Sequence, residues 1–511
     1  MKIADLVKLL SSNGDFRGLY KMGEKDPHLS VAESREISGI THDSRKITSG
    51  SIFVCLRGAR SDGHEFTAEA KTRGACAILC ERVTETDLLH ILVSDTRSIL
   101  GEAASEIYGK PAGSMKMVAV TGTNGKSTTA FMLRSIFARE GIKQGLMGTI
   151  VYDDGSGLEK DADRTTPEAT DIQCMLAEMV KNGCKSCVME TSSHGLFQRR
   201  LAGCSFDAGV FTNLTPEHLD FHGSMDHYFE AKLRLFREYM RNGCWVGAAN
   251  SDDPYGRIVK SLFPERVSSF GLEASGDPDV AGRIITMNLS GIRLEVVCRK
   301  TKAVFEASLP VTGAFNAQNA LGAAAVSMEM GLDPESVRKG LEGMPQVPGR
   351  LQSLCFNNGV TAIIDYAHTP DALQNVLATV REVCTGRIWS VFGSGGDRFQ
   401  GNRPIMGEIA SRMADHIVVT MDNPRSEDPR KIAEQIVSGI QASDGNSGKA
   451  EWRIILDRKD AVHFALDSAS GGDAVVISGK GPERNIVFSD RITPYSDLDA
   501  VAEWSRKRRV Q

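Results

Sequence analysis

The stretch MKMVAVTGTNGKSTTAFMLRSIFAREG, residues 115–141, decides how this chain is read. MKMVAVTG is a compact apolar run suited to a buried strand, and TTAFMLRSIFAREG (128–141) carries apolar residues at helical spacing with a terminal Gly. Between them lies VTGTNGKST (120–128), in which Gly122 and Gly125 permit a turn tight enough for backbone N–H groups to cradle phosphate. Lys126 adds a point charge and the Ser127 hydroxyl is a candidate Mg2+ ligand, with Thr123, Asn124 and Thr128 completing the loop. Val120 stands where the strict GxxxxGK[ST] pattern has its first Gly. Strand, loop, Lys-Ser pair and helix in that order still predict a nucleotide-phosphate loop.

Working outward, SCVMET (186–191), DAGVFTN (207–213) and CWVGAAN (244–250) repeat the buried-strand pattern at helix-length intervals, which predicts a mostly parallel sheet. RIITMNL, IRLEVVC and KAVFEASL, between 282 and 309, lie close together and predict an antiparallel meander decorating that domain. Upstream, SIFVCL (51–56), CAILC (76–80) and HILVS (90–94) predict a small α/β domain ending near YGKPAGSMK (108–116). Downstream of GMPQVPGRLQ (343–352), five runs predict a doubly wound α/β unit: TAIIDY (361–366), RIWSVFG (387–393), HIVVT (416–420), EWRIIL (451–456) and DAVVISG (473–479). The expected fold class is therefore α/β in three domains, 1–112, 113–345 and 346–511, with DGNSGKA (444–450) as a polar loop.

The 511 residues suit three or four domains at roughly 100–200 residues each. A net charge of −5 gives no general reason to expect nucleic acid or an anionic membrane as partner, so any anion site must be local. The apolar stretch at the start is interrupted by Lys8 and is too short for a signal segment, and no run approaches a membrane span of about 18–20 apolar residues. Eleven cysteines without a regular framework are expected to be reduced thiols of a cytoplasmic protein, CKSC (184–187) included.

Three further motifs bear on chemistry. ETSSHGLFQRR (190–200) follows a predicted strand end, which places Glu190 to hold Mg2+ opposite Ser127 and Ser192, Gln198 and Arg200 to offer donors to an anionic substrate. TNLTPEHLDFHG (212–223) sets His218 four residues before His222, but Leu219 replaces the Glu of a zinc-protease HExxH helix. A lone His is usually structural; following a strand of the phosphate-loop sheet makes His218 a candidate metal ligand. YFEAKLRLF (228–236) predicts a helix with Tyr228, Ala231 and Leu235 on its apolar face, and Lys232 beside it would ordinarily snorkel to solvent.

Taken with GAFNAQNALGAAA (313–325), VPGRLQ (347–352), DYAHTPDAL (365–373), GSGGDRFQGNRP (393–404), DNPR (422–425) and GKGPE (479–483), these motifs resemble, in order, those of the Mur ligases. The resemblance runs from about residue 38 to 485 and is strongest to the members that add the third residue to UDP-N-acetylmuramoyl-L-alanyl-D-glutamate. It implies a uridine-nucleotide N-terminal domain, a central ATPase domain and a Rossmann-like amino-acid-binding C-terminal domain. The implied reaction uses ATP to phosphorylate the D-glutamate γ-carboxylate, after which an amine displaces phosphate. In the family the lysine matching Lys232 is carbamylated by CO2 and supports a second Mg2+ with the residue matching His218.

The resemblance further implies that Asn316 and Asn319 contact adenine, and that Arg350 and Asp365 serve the nucleotide phosphates and ribose across a closing cleft. Ser44 and Arg45 of THDSRK (41–46) would contact the uridine nucleotide, and Thr165 and Thr166, before Pro167, would hold the muramoyl dipeptide. Read without the family, the latter is a helix start with Pro in its first turn. DNPR selects the amino acid: meso-diaminopimelate has a second carboxylate that the planar fork of Arg425 suits, with Arg398, Asp422, Asn423, Gly479 and Glu483 around it. Phe399, Asn402 and Pro482 depart from the family pattern, which leaves L-lysine or a related diamino acid as the alternative. A D-Ala-D-Ala-adding ligase or a folylpolyglutamate synthase would be expected to lack DNPR beside GKGPE, and a non-catalytic nucleotide-binding scaffold to lose Glu190, His218 or Lys232.

Overall fold

A computed structural model describes residues 1–25, 36–58, 61–272, 277–443, 450–508 and 510. The predicted polar loop at 444–450 lies outside the described residues but for Ala450. Contacts divide the chain into two units, one holding Met1–Gly271 with Gly322–Val337, the other Val280–Leu321 with Arg338–Gln511.

The first unit begins with a sheet of six strands, ordered Glu24–Lys25, Phe16–Lys21, Leu89–Val93, Ala77–Cys80, Ser51–Val54 and Gly39–Thr41. The last four run parallel, as their continuous apolar sequences require, while Phe16–Lys21 pairs antiparallel with Leu89–Val93 with a register shift between Phe16 and Gly18. Ile3, Leu6 and Leu10 of one helix and Ile99, Leu100 and Ala103 of another close one face. The second helix, Thr96–Ile107, starts where the Asp95 carboxylate accepts from the N–H groups of Arg97 and Ser98.

The same unit contains a parallel sheet ordered Gln144–Met147, Ser186–Glu190, Lys116–Thr121, Ala208–Phe211, Val246–Asn250 and Val267–Leu272. Two short antiparallel strands, Val151–Asp153 and Glu159–Asp161, extend its first edge. The chain leaves Lys116–Thr121 in one direction and later returns on its other side. The carboxyl end of that strand is therefore a topological switch point, the place where such sheets form ligand crevices. The helix after it, Lys126–Arg139, starts two residues before the expected 128, and the helix after Pro167 starts only at Ala169 with Glu168 as its cap.

The second unit carries the antiparallel meander Val280–Asn288, Gly291–Cys298 and Ala303–Leu309, and a six-stranded sheet. That sheet orders Gln352–Cys355, Thr361–Asp365, Ala474–Ser478, Ile388–Phe392, His416–Val419 and Glu451–Ile454, all parallel except the first. Residues alternate between its faces. Ile363, Val476, Phe392 and Val419 pack with Ile432 and Ile436 on one side, and Ile364, Ile477, Val391 and Val418 pack with Val462, Leu466 and Trp504 on the other. Truncating any of the fully buried aliphatic residues to Ala is expected to cost about 2–5 kcal/mol. The double-sided burial makes these strands continuous apolar runs and delivers Asp365, Thr420 and Ser478 together at the carboxyl edge.

Candidate active site

The phosphate loop is built by two glycines in left-handed backbone. Gly122 (φ 147°) passes so close to Thr212 that a Cβ would sit 1.9 Å from its hydroxyl, and Gly125 (φ 84°) caps the helix that follows. The loop is tied to the next strand end: Thr123 N–H donates to Asn213 O at 2.9 Å, Asn124 N–H to Asn213 Oδ1 at 2.9 Å, and Thr212 Oγ1 to Asn124 O at 2.6 Å. Ser127 and Thr128 lie buried in the first helical turn, where backbone N–H groups have no intrahelical acceptor.

Two amines meet at one carbonyl. Lys126 Nζ donates to Gly122 O at 3.0 Å and to Thr123 O at 2.6 Å, and Lys232 Nζ donates to the same Gly122 O at 2.7 Å. Lys232 therefore does not snorkel. Its helix, Met225–Glu238, turns it inward with Tyr228, Ala231 and Leu235, so that it is 1% exposed with its amine 4.6 Å from the Tyr228 ring. Burial, and then the charge of Lys126, hold the Lys232 amine well below the usual lysine range.

Glu190 ends the neighbouring strand and is 1% exposed, not a solvated strand-end acid. Its carboxylate accepts from Ser127 Oγ at 3.0 Å, Thr149 N–H at 2.9 Å and Thr149 Oγ1 at 2.9 Å. No basic side chain pairs with it among the described residues. A buried acid facing a hydroxyl and hydroxyl-bearing neighbours is a donor set that suits a hard divalent cation, so the residues present fit Mg2+. No group of three His, Cys, Asp or Glu side chains converges as a ready-made metal cluster among the described residues. Thr149 was not singled out by its sequence; a small polar residue just past the adjacent strand Gln144–Met147 was the available signal.

His218 caps the short helix Leu219–His222 in left-handed backbone, its side chain 44% exposed and its ring 4.8 Å from that of His194. His222 is buried, bonds Ser193 Oγ at 3.0 Å, stacks on Tyr228 and has its pKa lowered to about 4 by burial. Tyr228 OH lies 3.1 Å from Thr123 Oγ1, linking this aromatic group to the loop.

Thr166 Oγ1 donates to Glu190 O and accepts from Ser192 N–H, both at 2.9 Å, and Thr165 Oγ1 lies 3.0 Å from Thr149 Oγ1. Ser192 Oγ is occupied as a helix cap, accepting from Gly195 N–H. Arg200 donates to Thr166 O at 2.8 Å and Gln198 Oε1 at 2.6 Å, and pairs with Glu168, which also gathers Arg97 and Arg164. Three guanidinium groups converge on this one carboxylate. Arg164 and Glu168 line a cleft of about 1370 Å³ whose other wall carries Ser44 and Arg45. Ser44 Oγ donates to Glu69 at 2.8 Å, and the fork of Arg45 holds the Asp43 carboxyl down at about 2.

In the second unit Asn316 is buried and donates to Thr312 O at 2.8 Å, and the buried Asn319 donates to Asn316 Oδ1 at 3.0 Å. The Asp365 carboxylate accepts from the N–H groups of Leu351 and Ala367 at 2.8 Å each; burial raises its pKa against the pull of Arg350. The Arg350 guanidinium lies 5.4 Å from the Tyr366 ring.

The candidate amino-acid residues gather on loops at one sheet edge. Gly479 (φ 116°) passes Asp422 so closely that a Cβ would lie 2.7 Å from its carboxylate. Asn423 Nδ2 donates to Glu483 Oε2 at 2.9 Å, and Arg425 Nη1 donates to Gly396 O at 2.6 Å. Arg398 and Phe399 are exposed on the facing loop. Behind that loop the fully buried Arg403 forks onto Glu427 at 2.8 Å and reaches Gly395 O at 3.1 Å. Arg403 and Lys480 were missed because buried basic residues are rare enough that sequence reasoning assigns them to the surface.

Three family models match the chain: the Mur ligase family catalytic domain at residues 36–108, the Mur ligase middle domain at 120–327 and the Mur ligase glutamate ligase domain at 349–481. A UDP-N-acetylmuramoyl-L-alanyl-D-glutamate--2,6-diaminopimelate ligase of Geobacter metallireducens is 40% identical over 91% of this chain and 94% of its own length. The enzyme of the same name from Syntrophomonas wolfei is 38% identical over 92% and 95%. A solved structure of a ligase of that name superposes with a TM-score of 0.68 at 29% identity, covering 95% of this chain and 97% of the other. The MurF ligase of Thermotoga maritima in complex with ADP, 19% identical with a TM-score of 0.61 over 93% and 98% of the two chains, shares the fold. By the extent of these matches, across all three of its domains, the chain belongs to the Mur ligase family.

Proposed function

We propose that this chain is an ATP-dependent ligase that joins meso-2,6-diaminopimelate to the D-glutamate γ-carboxylate of UDP-N-acetylmuramoyl-L-alanyl-D-glutamate. A carboxylate at pH 7 resists attack by an amine until one oxygen becomes a leaving group. The γ-carboxylate oxygen attacks the terminal phosphorus of ATP, ADP leaves, and the amine nitrogen then attacks the acyl carbon, expelling phosphate and losing its proton. Lys126 and the backbone N–H groups of the loop offset charge on the transferred oxygens, and Arg200 with Thr166 orients the acid. Bound Mg2+ would be held by Ser127 and Glu190 and would supply charge neutralisation on the phosphates. The buried amine of Lys232, its pKa lowered by burial, is suited to add to CO2, releasing a proton to water, and the resulting carbamate would offer an oxygen donor near His218.

The amino-acid choice is carried by one observation: a guanidinium, Arg425, and a carboxylate, Glu483, project from loops joined through Asn423 and through the Arg425 N–H donating to Val487 O at 3.0 Å. Opposite charges on connected loops match a zwitterionic amino-acid end, and L-lysine has no second zwitterion to fill it. The relatives' names support the same substrate. We place the reaction in the cytoplasm, consistent with eleven free thiols, and expect small-molecule substrates, with neither nucleic acid nor membrane insertion; no helix among the described residues is long and apolar enough to cross a membrane. The test is phosphate release with ATP and the UDP-muramoyl dipeptide, comparing meso-diaminopimelate, L-lysine and D-Ala-D-Ala. Release with diaminopimelate alone is expected. Preference for either alternative would reassign the substrate, and release with none would replace catalysis by nucleotide binding.

A further inference from the structure

Between Gly479 and Gly481 (φ 50°) the chain leaves the strand Ala474–Ser478 by a path open to few side chains, since a Cβ on Gly481 would lie 2.7 Å from Tyr366 Cβ. That path turns Lys480 inward, and its side chain is fully buried. A fully buried amine requires hydrogen-bond acceptors and opposite charge around it. Lys480 Nζ donates to Asn423 Oδ1 and to Glu483 Oε2, each at 3.0 Å, and lies 3.6 Å from Asp422 Oδ1. Asn423 Oδ1 also accepts from Val487 N–H at 3.0 Å, so its amide has one orientation: oxygen toward Lys480, nitrogen toward Glu483. Glu483 is thereby gripped through Oε2 alone, and Oε1 has no protein partner among the described residues.

We propose that Lys480 is the positioning residue of the amino-acid site: it fixes Asn423 and Glu483 in a single arrangement and cancels one of the two negative charges of Asp422 and Glu483. The remaining single charge, presented through Glu483 Oε1, receives one ammonium group of the incoming amino acid. This rests on the reading of the site as the amino-acid site, and it adds a residue that touches no substrate but sets the geometry of those that do.

Lys480→Met keeps the aliphatic stem and removes the charge. It is expected to raise KM for diaminopimelate at least tenfold, leave KM for ATP and for the UDP-muramoyl dipeptide within twofold, and change kcat at saturating diaminopimelate by less than threefold. In the K480M background, Glu483→Gln is expected to add little, because the carboxylate has already lost its orientation. Lys480→Gln, which keeps a neutral donor, serves if the Met variant does not fold, and is expected to show the same split with a smaller rise. A diaminopimelate KM unchanged in a variant with native melting behaviour overturns the proposal, as does a parallel rise in all three KM values, the mark of a merely structural role. If the wild-type chain accepts a different amino acid, the substrate reading falls while the same KM split, measured with that amino acid, still decides the role of Lys480.

Discussion

Lys232 Nζ donates to the carbonyl oxygen of Gly122 at 2.7 Å, so a residue on a helix more than 100 positions along the chain shares an acceptor with the loop's own Lys126. Burial first, and then the charge of Lys126, lower the pKa of the Lys232 amine, against a smaller opposing pull from Glu217.

The first prediction concerns that proton. The unfolded chain's Lys232 has an ordinary pKa of about 10.4, whereas the folded chain's is depressed, so between the two values the unfolded state binds the extra proton and folding is penalised. The penalty fades as pH rises toward about 10. In CO2-free buffer, the wild type should therefore gain stability relative to Lys232→Met between pH 7 and pH 10, read by chemical denaturation. A constant difference would mean the amine is charged in the folded protein. With 13C-labelled bicarbonate, a carbamate carbon signal present in the wild type and absent in Lys232→Met is expected.

Glu190→Gln keeps the shape of the side chain and one acceptor oxygen for the Ser127 and Thr149 hydroxyls, but sets an NH2 against the Thr149 N–H and removes the charge. Turnover should fall on the order of 100-fold, as for loss of one electrostatic contact to reacting phosphate, and the Mg2+ concentration giving half-maximal rate should rise. Nucleotide binding measured without Mg2+ should be unaffected; a parallel loss there would assign Glu190 to loop architecture.

Arg425 sits at φ 51°, so its backbone and its guanidinium must be tested apart. Arg425→Ala should raise KM for diaminopimelate by about 2–4 kcal/mol equivalent, the loss of one or two charge-assisted hydrogen bonds, with KM for ATP unchanged. Arg425→Gly tolerates the left-handed backbone and should show the same rise. Recovery in the Gly variant would make backbone strain the cause.

Behind the same loops, the buried Arg403 pairs with the half-buried Glu427, and the guanidinium holds the Glu427 carboxyl down at about 2. Arg403→Met removes the charge-assisted hydrogen bonds to Glu427 and should destabilise the C-terminal domain by about 1.5–3 kcal/mol at pH 7. Because the folded pKa lies below the unfolded one, the pair's contribution is complete above about pH 5 and is lost as pH falls toward 2. The difference between variant and wild type should accordingly shrink between pH 5 and pH 3 in denaturation curves.

Much of the fold was legible because parallel strands buried on both faces leave uninterrupted apolar runs, as at 361–366 and 473–479. The strands that escaped notice, Phe16–Lys21 and Glu159–Asp161 among them, are edge pieces with a solvated face and carry no such run. Among the site residues, Gly122, Gly125 and Lys126 were legible because the loop is local: its backbone freedom and its charge are adjacent in the chain.

Chain order alone thus determined the domain succession, the strand-loop-helix cradle and the candidate chemistry of each motif, since each depends on residues within a few positions of one another. Only the tertiary structure decided that Lys232 is buried beside that cradle, that Thr149 shares Glu190 with Ser127, and that Lys480 lies between Asn423 and Glu483. The physical reason is desolvation: whether an amine or acid is a solvated surface group or an active one depends on what distant segments remove from around it, and no periodicity along the chain encodes that.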